Sequence, residues 1–148
     1  MRIRLALDDE AEIFVGMVRE TVVEASRPQR FDADVTRETF RQYLETSDPT
    51  IWFAERDGVV VGYSVVSVGQ FRYSSCLYIL QEVIWVRPDN RGTRAAALLT
   101  KNLIAEAERR GIPEIIGGND SGVNPELSKR FLEHFGFETV GYCMRRQV

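Results

Sequence analysis

Residues Val86-Arg87-Pro88-Asp89-Asn90-Arg91-Gly92-Thr93-Arg94-Ala95-Ala96 sit where one periodicity gives way to another. Upstream, Cys76 to Val86 is a continuous β run, Cys-Leu-Tyr-Ile-Leu-Gln-Glu-Val-Ile-Trp-Val. Downstream, Ala96, Leu99, Leu103 and Ala107 recur at helical spacing, which predicts a helix over Thr93 to Arg110 closed by Gly111. Thr100, Lys101, Glu106 and Arg110 are expected on its wet side. A strand therefore feeds a short basic loop that opens directly into a helix. The first N–H groups of a helix lack partners, and its dipole is positive at that end. Small residues there let an anion come close to the backbone. The stretch predicts a phosphate or pyrophosphate site at the start of this helix. It fits neither GxGxxG nor GxxxxGK followed by Ser or Thr, so dinucleotide-binding and P-loop readings fail.

Toward the N-terminus, Ile3 to Leu7 alternates as a first strand, and Asp8 and Asp9 stand where a helix cap belongs. Phe14, Met17, Val18, Thr21, Val22 and Ala25 form one face of a helix ending near Ser26-Arg27-Pro28. Gln29 to Asp34 is a polar connection around Phe31. Asp34 or Thr36 is expected to cap a second helix with Phe40, Tyr43 and Leu44 on its inner face, stopped at Asp48-Pro49. Thr50 to Arg56 and Val59 to Val68 are strands joined at Asp57-Gly58, a tight-hairpin signal. Toward the C-terminus, Glu114 to Ile116 is a short strand running into Gly117-Gly118. Asn124 caps a last helix with Pro125 at its first position and Gly136 past its end. Leu127, Phe131 and Phe135 form its inner stripe, and Glu138 to Arg145 is a final strand. The order β-α-α-β-β-β-α-β-α-β predicts an α/β fold of the α+β kind. Its central mixed sheet is mostly antiparallel, and about four helices flank it.

With 148 residues, one domain is expected. No apolar run is long enough to cross a membrane, and no signal peptide is expected at Met1-Arg2-Ile3-Arg4. The net charge of −3 gives no general attraction to nucleic acid. Cys76 and Cys143 are too few for a disulfide framework and are read as reduced thiols of a cytoplasmic protein, Cys143 as a small buried hydrophobe. With His134 the only histidine, a zinc site and a Ser-His-Asp or Cys-His triad are both disfavoured. Residues 76–148 carry 10 basic and 9 acidic groups against 9 and 13 in residues 1–75. Arg87, Arg91 and Arg94 lie within eight positions, and a guanidinium can grip one anion with two donors.

The loop resembles the acyl-CoA pyrophosphate loop of the GCN5-related N-acetyltransferases, which reads roughly Arg/Gln-x-x-Gly-x-Gly/Ala after a strand ending in Val-x-Pro. Arg91 and Ala96 fall on its first and last positions, and Gly92 completes an Arg-Gly pair. Arg94 occupies a slot that is Gly in the family, where its guanidinium could itself supply the phosphate contact. The element order and the ending Phe131-Leu-Glu-His-Phe-Gly-Phe137 are similar too. The resemblance implies acetyl-CoA bound between two splayed parallel strands, 76–86 and 113–118. The strand end Ile84-Trp85-Val86 would pair with the pantetheine arm, and the segment Arg91, Gly92, Thr93, Arg94, Ala95, Ala96 would hold the pyrophosphate. Asn124 would touch the pantetheine or adenosine side.

Amine acetylation needs a base. Glu82 is the first candidate, placed on the face of Val86 by period two and desolvated among Ile79, Leu80, Val83 and Ile84. Asn119 and Asp120 are second candidates, for orienting water or the amine. The family's usual acid position, a tyrosine, is Leu132 here, and His134 on the same helix is read as structural. The acceptor is expected to be a small-molecule or peptide amine entering over Glu24 to Asp48, an acidic region, with the Phe31 loop and Trp52 shaping a pocket. The rival readings are a catalytically degenerate acyl-CoA sensing domain and an interaction domain without cofactor. A homodimer is compatible with such a fold.

Overall fold

The structure, a computed structural model, describes residues 1–27 and 30–148. Pro28 and Gln29, where a helix stop and a polar connection were expected, lie outside the described residues. Strands β1 (Arg2–Leu5), β2 (Thr50–Arg56), β3 (Val59–Gln70), β4 (Leu77–Val86) and β5 (Ile115–Ile116) form one sheet in sequence order. Pairing is antiparallel except between β4 and β5, which run parallel. Helices α1 (Ala11–Glu24) and α2 (Ala33–Thr46) cover one face, and α3 (Ala95–Arg110) covers the other. The last helix, α4, spans Pro125–Glu133. None of the helices among the described residues is long and apolar enough to cross a membrane.

Local chemistry explains most of these elements. Asp57 and Gly58 both take positive φ, 51° and 79°, as a primed two-residue hairpin requires. On one face Phe14 and Met17 of α1 and Phe40 of α2 meet Phe53, Tyr63, Val65 and Trp85. On the other, Leu99, Leu103 and Ala107 of α3 meet Val61, Val66, Ile79 and Val86. Gly111 ends α3 in the left-handed region, φ 65°.

Five details differ from the sequence reading. Neither Asp8 nor Asp9 caps the first helix by its side chain. Instead the Glu10 carboxylate accepts the Leu7 N–H at 2.8 Å and pairs with Arg4 at 2.6 Å, which holds it below the usual carboxylate range. Asp32, not Asp34 or Thr36, caps α2: its Oδ1 accepts the N–H groups of Asp34 at 2.9 Å and Val35 at 3.0 Å. Thr100 is fully buried, because α3 lies across the sheet with a stripe broad enough to include it. Its hydroxyl donates back to the Ala96 carbonyl at 2.9 Å. Leu127 is 61% exposed, and no residue of α4 is fully buried.

The fifth difference is the terminal strand. Glu138 to Arg145 forms none; Val140, Tyr142 and Met144 are almost wholly exposed, and Cys143 is exposed rather than buried. Alternation expresses fitness for a pleat, but a strand needs a neighbour to bond. The parallel ladder with β5 stops at Ile116, ahead of Gly117-Gly118, so β5 offers this segment little edge.

Candidate active site

The sheet is split at its C-terminal edge. Strands β4 and β5 pair only through Ile79↔Ile115 and Leu80↔Ile116, with Ile79 N–H donating to Glu114 O at 2.9 Å. Beyond that point, residues 81–86 of β4 have no strand partner on the β5 side among the described residues. Their other side is bound to β3. Arg87 N–H donates to Val61 O at 2.9 Å while Val86 faces Gly62, so Arg87 and Val61 form the hydrogen-bonded pair. Antiparallel alternation then turns the N–H and C=O of Val86, and of Ile84 two residues earlier, into the split. The main chain of Trp85 faces β3, and its indole lies among the residues under α1 and α2.

The slot leads to the start of α3. After Val86 comes a single 3-10 turn, Pro88–Asn90, and then Gly92 at φ 82°, a conformation glycine adopts without strain. Thr93 Oγ1 donates to Asn90 O at 2.7 Å and accepts the Ala95 N–H at 3.3 Å. Arg94 stands at the N-cap position and makes no side-chain cap, so with Ala95 N–H taken by Thr93 the amides of Ala96 and Ala97 have no acceptor among the described residues. An extended edge of backbone donors and acceptors thus runs straight into a helix N-terminus. Such a track suits an extended ligand bearing amides along its length and an anion at its end.

The three arginines divide their work. Arg87 pairs with Glu20 at 3.2 Å and donates to Val60 O at 3.1 Å. Arg91 grips Glu24 through both terminal nitrogens at 2.6 Å, and its Nε donates to Val86 O at 3.0 Å. Glu24 also accepts the Trp85 indole N–H at 2.8 Å. Arg91, and secondarily Trp85, hold the Glu24 carboxyl below its ordinary range. The Arg91 side chain therefore ties the loop to α1 rather than reaching outward to a phosphate. Arg94 has no ion pair among the described residues, and it lines a 430 Å³ cleft with Met1, Arg56, Asp57 and Thr93. A larger cleft of 740 Å³ lies between α1 and α2, and no residue of β4, β5 or the loop lines it.

The catalytic candidates are placed differently from the sequence reading. Val65 faces Val83 while Val66 faces Gln81, which leaves Glu82 as the extra residue of a β-bulge. The bulge breaks the period-two count from Val86, and Glu82 is exposed rather than enclosed by apolar side chains. It lies near the part-buried Tyr43, whose hydroxyl pKa is raised by burial and secondarily by the Glu82 charge. Asn119 is fully engaged in its own loop. Its Nδ2 donates to Val123 O at 2.6 Å and Ser128 Oγ at 2.9 Å, and its Oδ1 accepts from Ser121 N and Oγ. Asp120 is exposed, and its carbonyl accepts from Arg27 at 2.9 Å. Asn124 opens α4 at φ 44° through its backbone, without a side-chain cap. His134 is exposed with its ring against Phe135.

Sequence reasoning missed Gln81. It is 8% exposed, its Oε1 is buried without a hydrogen-bond donor among the described residues, and it lies over Gly117 where the strands part. The available signal was an amide beside Glu82 in a mostly apolar β run, together with the Gly-Gly pair that follows the short strand.

The same fold occurs in solved structures of low identity. A transcriptional regulator from Bacillus halodurans superposes with a TM-score of 0.83 at 20% identity, covering 99% of both chains. A predicted acetyltransferase with acetyl-CoA from Clostridium acetobutylicum gives 0.79 at 16% identity, covering 99% of this chain and 95% of that one. A ribosomal-protein-alanine N-acetyltransferase from Brucella melitensis gives 0.76 at 18% identity, covering both chains completely. At these identities the likeness speaks for the fold alone. No curated protein matches the sequence. The model of the acetyltransferase (GNAT) family matches residues 15–137, most of the chain and all of the slot, loop and α4. A parted strand pair leading into an uncapped helix start thus agrees with the sequence match, and the chain belongs to the acetyltransferase (GNAT) family.

Proposed function

We propose that this protein transfers an acetyl group from acetyl-CoA to a primary amine of a small molecule or peptide, by direct attack with both substrates bound. The observation that carries the reading is the free edge of β4 past Leu80↔Ile116, continuous with the unbonded amides of Ala96 and Ala97 at the start of α3. Acetyl-CoA supplies a thioester carbonyl and a thiolate leaving group of moderate basicity. The chain's residues supply the rest. Val86 N–H pairs with the pantetheine amides, while its C=O is already held by Arg91. Ile84 N–H, deeper in the split, faces the acyl carbonyl and stabilises charge on its oxygen. Amides of the segment Arg91 to Ala96 receive the pyrophosphate, and Arg94 adds the charged contact. Glu82, projecting at the bulge, takes the proton from the amine directly or through water. Reduced Cys76 and Cys143 fit a cytoplasmic setting.

The test is calorimetric titration with CoA and acetyl-CoA, followed by thiol release over a panel of polyamines, aminoglycosides and peptide N-termini. Binding should stabilise the fold by about 2.7 kcal/mol at a hundredfold excess over Kd. Absence of any thermal shift with either compound overturns the proposal. Binding without thiol release from any amine leaves the site standing and removes the transferase activity.

A further inference from the structure

We infer that Gln81, laid over Gly117 at the apex of the split between β4 and β5, is the wall that limits the length of the acyl group. This rests on the acyl-donor reading of the slot. The last bonded pair of the two strands is Leu80↔Ile116, so Gln81 and Gly117 are the first residues past the fork. An arm anchored by its anionic end at α3 and extended along Val86 and Ile84 points its far end at these two residues. Gln81 fills that end. A Cβ placed on Gly117 would stand 2.6 Å from Gln81 Oε1 and 3.1 Å from its Cβ, so only glycine leaves room for the amide there.

The chemistry of the wall matters as well as its bulk. Gln81 is 8% exposed, and its Oε1 is sealed from solvent with no donor. A buried carbonyl without a donor is already unfavourable, and an apolar chain laid against the amide supplies no compensating hydrogen bond. A methyl group stops short of the amide, whereas a longer chain must displace it. The side chain is thus both a steric stop and a surface that repels methylene groups.

The experiment is isothermal titration of the full chain and three variants with CoA, acetyl-CoA and butyryl-CoA. The wild type should bind acetyl-CoA at least tenfold more tightly than butyryl-CoA. Gln81→Ala should close that gap at least tenfold while binding CoA with unchanged affinity. Gln81→Leu, close in volume, should keep most of the discrimination. Gly117→Ala, which pushes the amide off its bed, should weaken acetyl-CoA relative to CoA. Equal binding of acetyl-CoA and butyryl-CoA by the wild type, or an unchanged ratio in Gln81→Ala, overturns the inference while the slot still binds CoA. If CoA binds none of the four proteins, the acyl-donor reading falls and the wall falls with it.

Discussion

Replacing Glu24 should detach the loop from α1, and the size of the effect can be worked from its contacts. The carboxylate accepts two bonds from Arg91 at 2.6 Å and one from the Trp85 indole at 2.8 Å. A fully buried charged hydrogen bond contributes about 1.5–3 kcal/mol. Here the side chains are 24% exposed for Glu24 and 41% for Arg91, so water screens the pair, and its net worth is nearer 1 kcal/mol. Glu24→Gln keeps an acceptor for the indole and loses only the charge, about 1 kcal/mol. Glu24→Ala also strands the N–H of the buried Trp85, for a total of about 2–3 kcal/mol. At roughly 2–4 °C per kcal/mol for a domain of this size, the two variants should melt about 2–4 °C and about 4–12 °C below wild type. Arg91→Ala and Glu24→Ala should be non-additive by about 1 kcal/mol in a double-mutant cycle. The carboxyl pKa is lowered from its ordinary 4.5, chiefly by Arg91, so the charge contribution is complete above the unfolded value and is lost as pH falls through the folded one. Scanning calorimetry should therefore show a constant gap between wild type and Glu24→Gln at pH 6–8 that narrows below about pH 4.5. A gap that is absent at neutral pH, or that persists undiminished at pH 3, refutes the clamp.

Four other outcomes follow from the geometry. Arg94→Ala should weaken CoA binding about tenfold or more by titration, since a charged phosphate contact contributes roughly 1.5–3 kcal/mol; an unchanged Kd removes Arg94 from the site. Gly92→Ala should melt lower by roughly 1–2 kcal/mol in calorimetry, because a side chain at φ 82° is strained even in the open space around it. Glu82→Gln should bind acetyl-CoA normally and lose turnover in the thiol-release assay, and full rate across pH 6–9 would show that Glu82 is not the base. Removing residues 139–148 should move the melting temperature by less than about 2 °C, because the segment is exposed along its length; a larger drop would show that it packs on something.

Much of this molecule was legible in one dimension. The hairpin at Asp57-Gly58, the end of α3 at Gly111 and the loop from Val86 into a helix follow from signals whose partners lie a few residues away. A positive φ, a cap or a 3.6-residue period is a local property, so these elements were readable in order, and with them the passage from strand through loop to helix start at Arg91 to Ala96. Tertiary structure decided what each of those side chains touches. Arg91 was read as a phosphate ligand, but Glu24 is 67 residues away in sequence and nothing local announces the pairing. Glu82 lost its apolar surroundings to a bulge set by the register between β3 and β4, which period-two counting cannot anticipate. Asn119 turned inward to brace its own loop, Thr100 was buried by the breadth of the sheet beneath α3, and Glu138 to Arg145 formed no strand. Local torsional preferences specify which elements form. Which polar groups remain free for a ligand depends on long-range partners that take up the others, and only the assembled fold determines those.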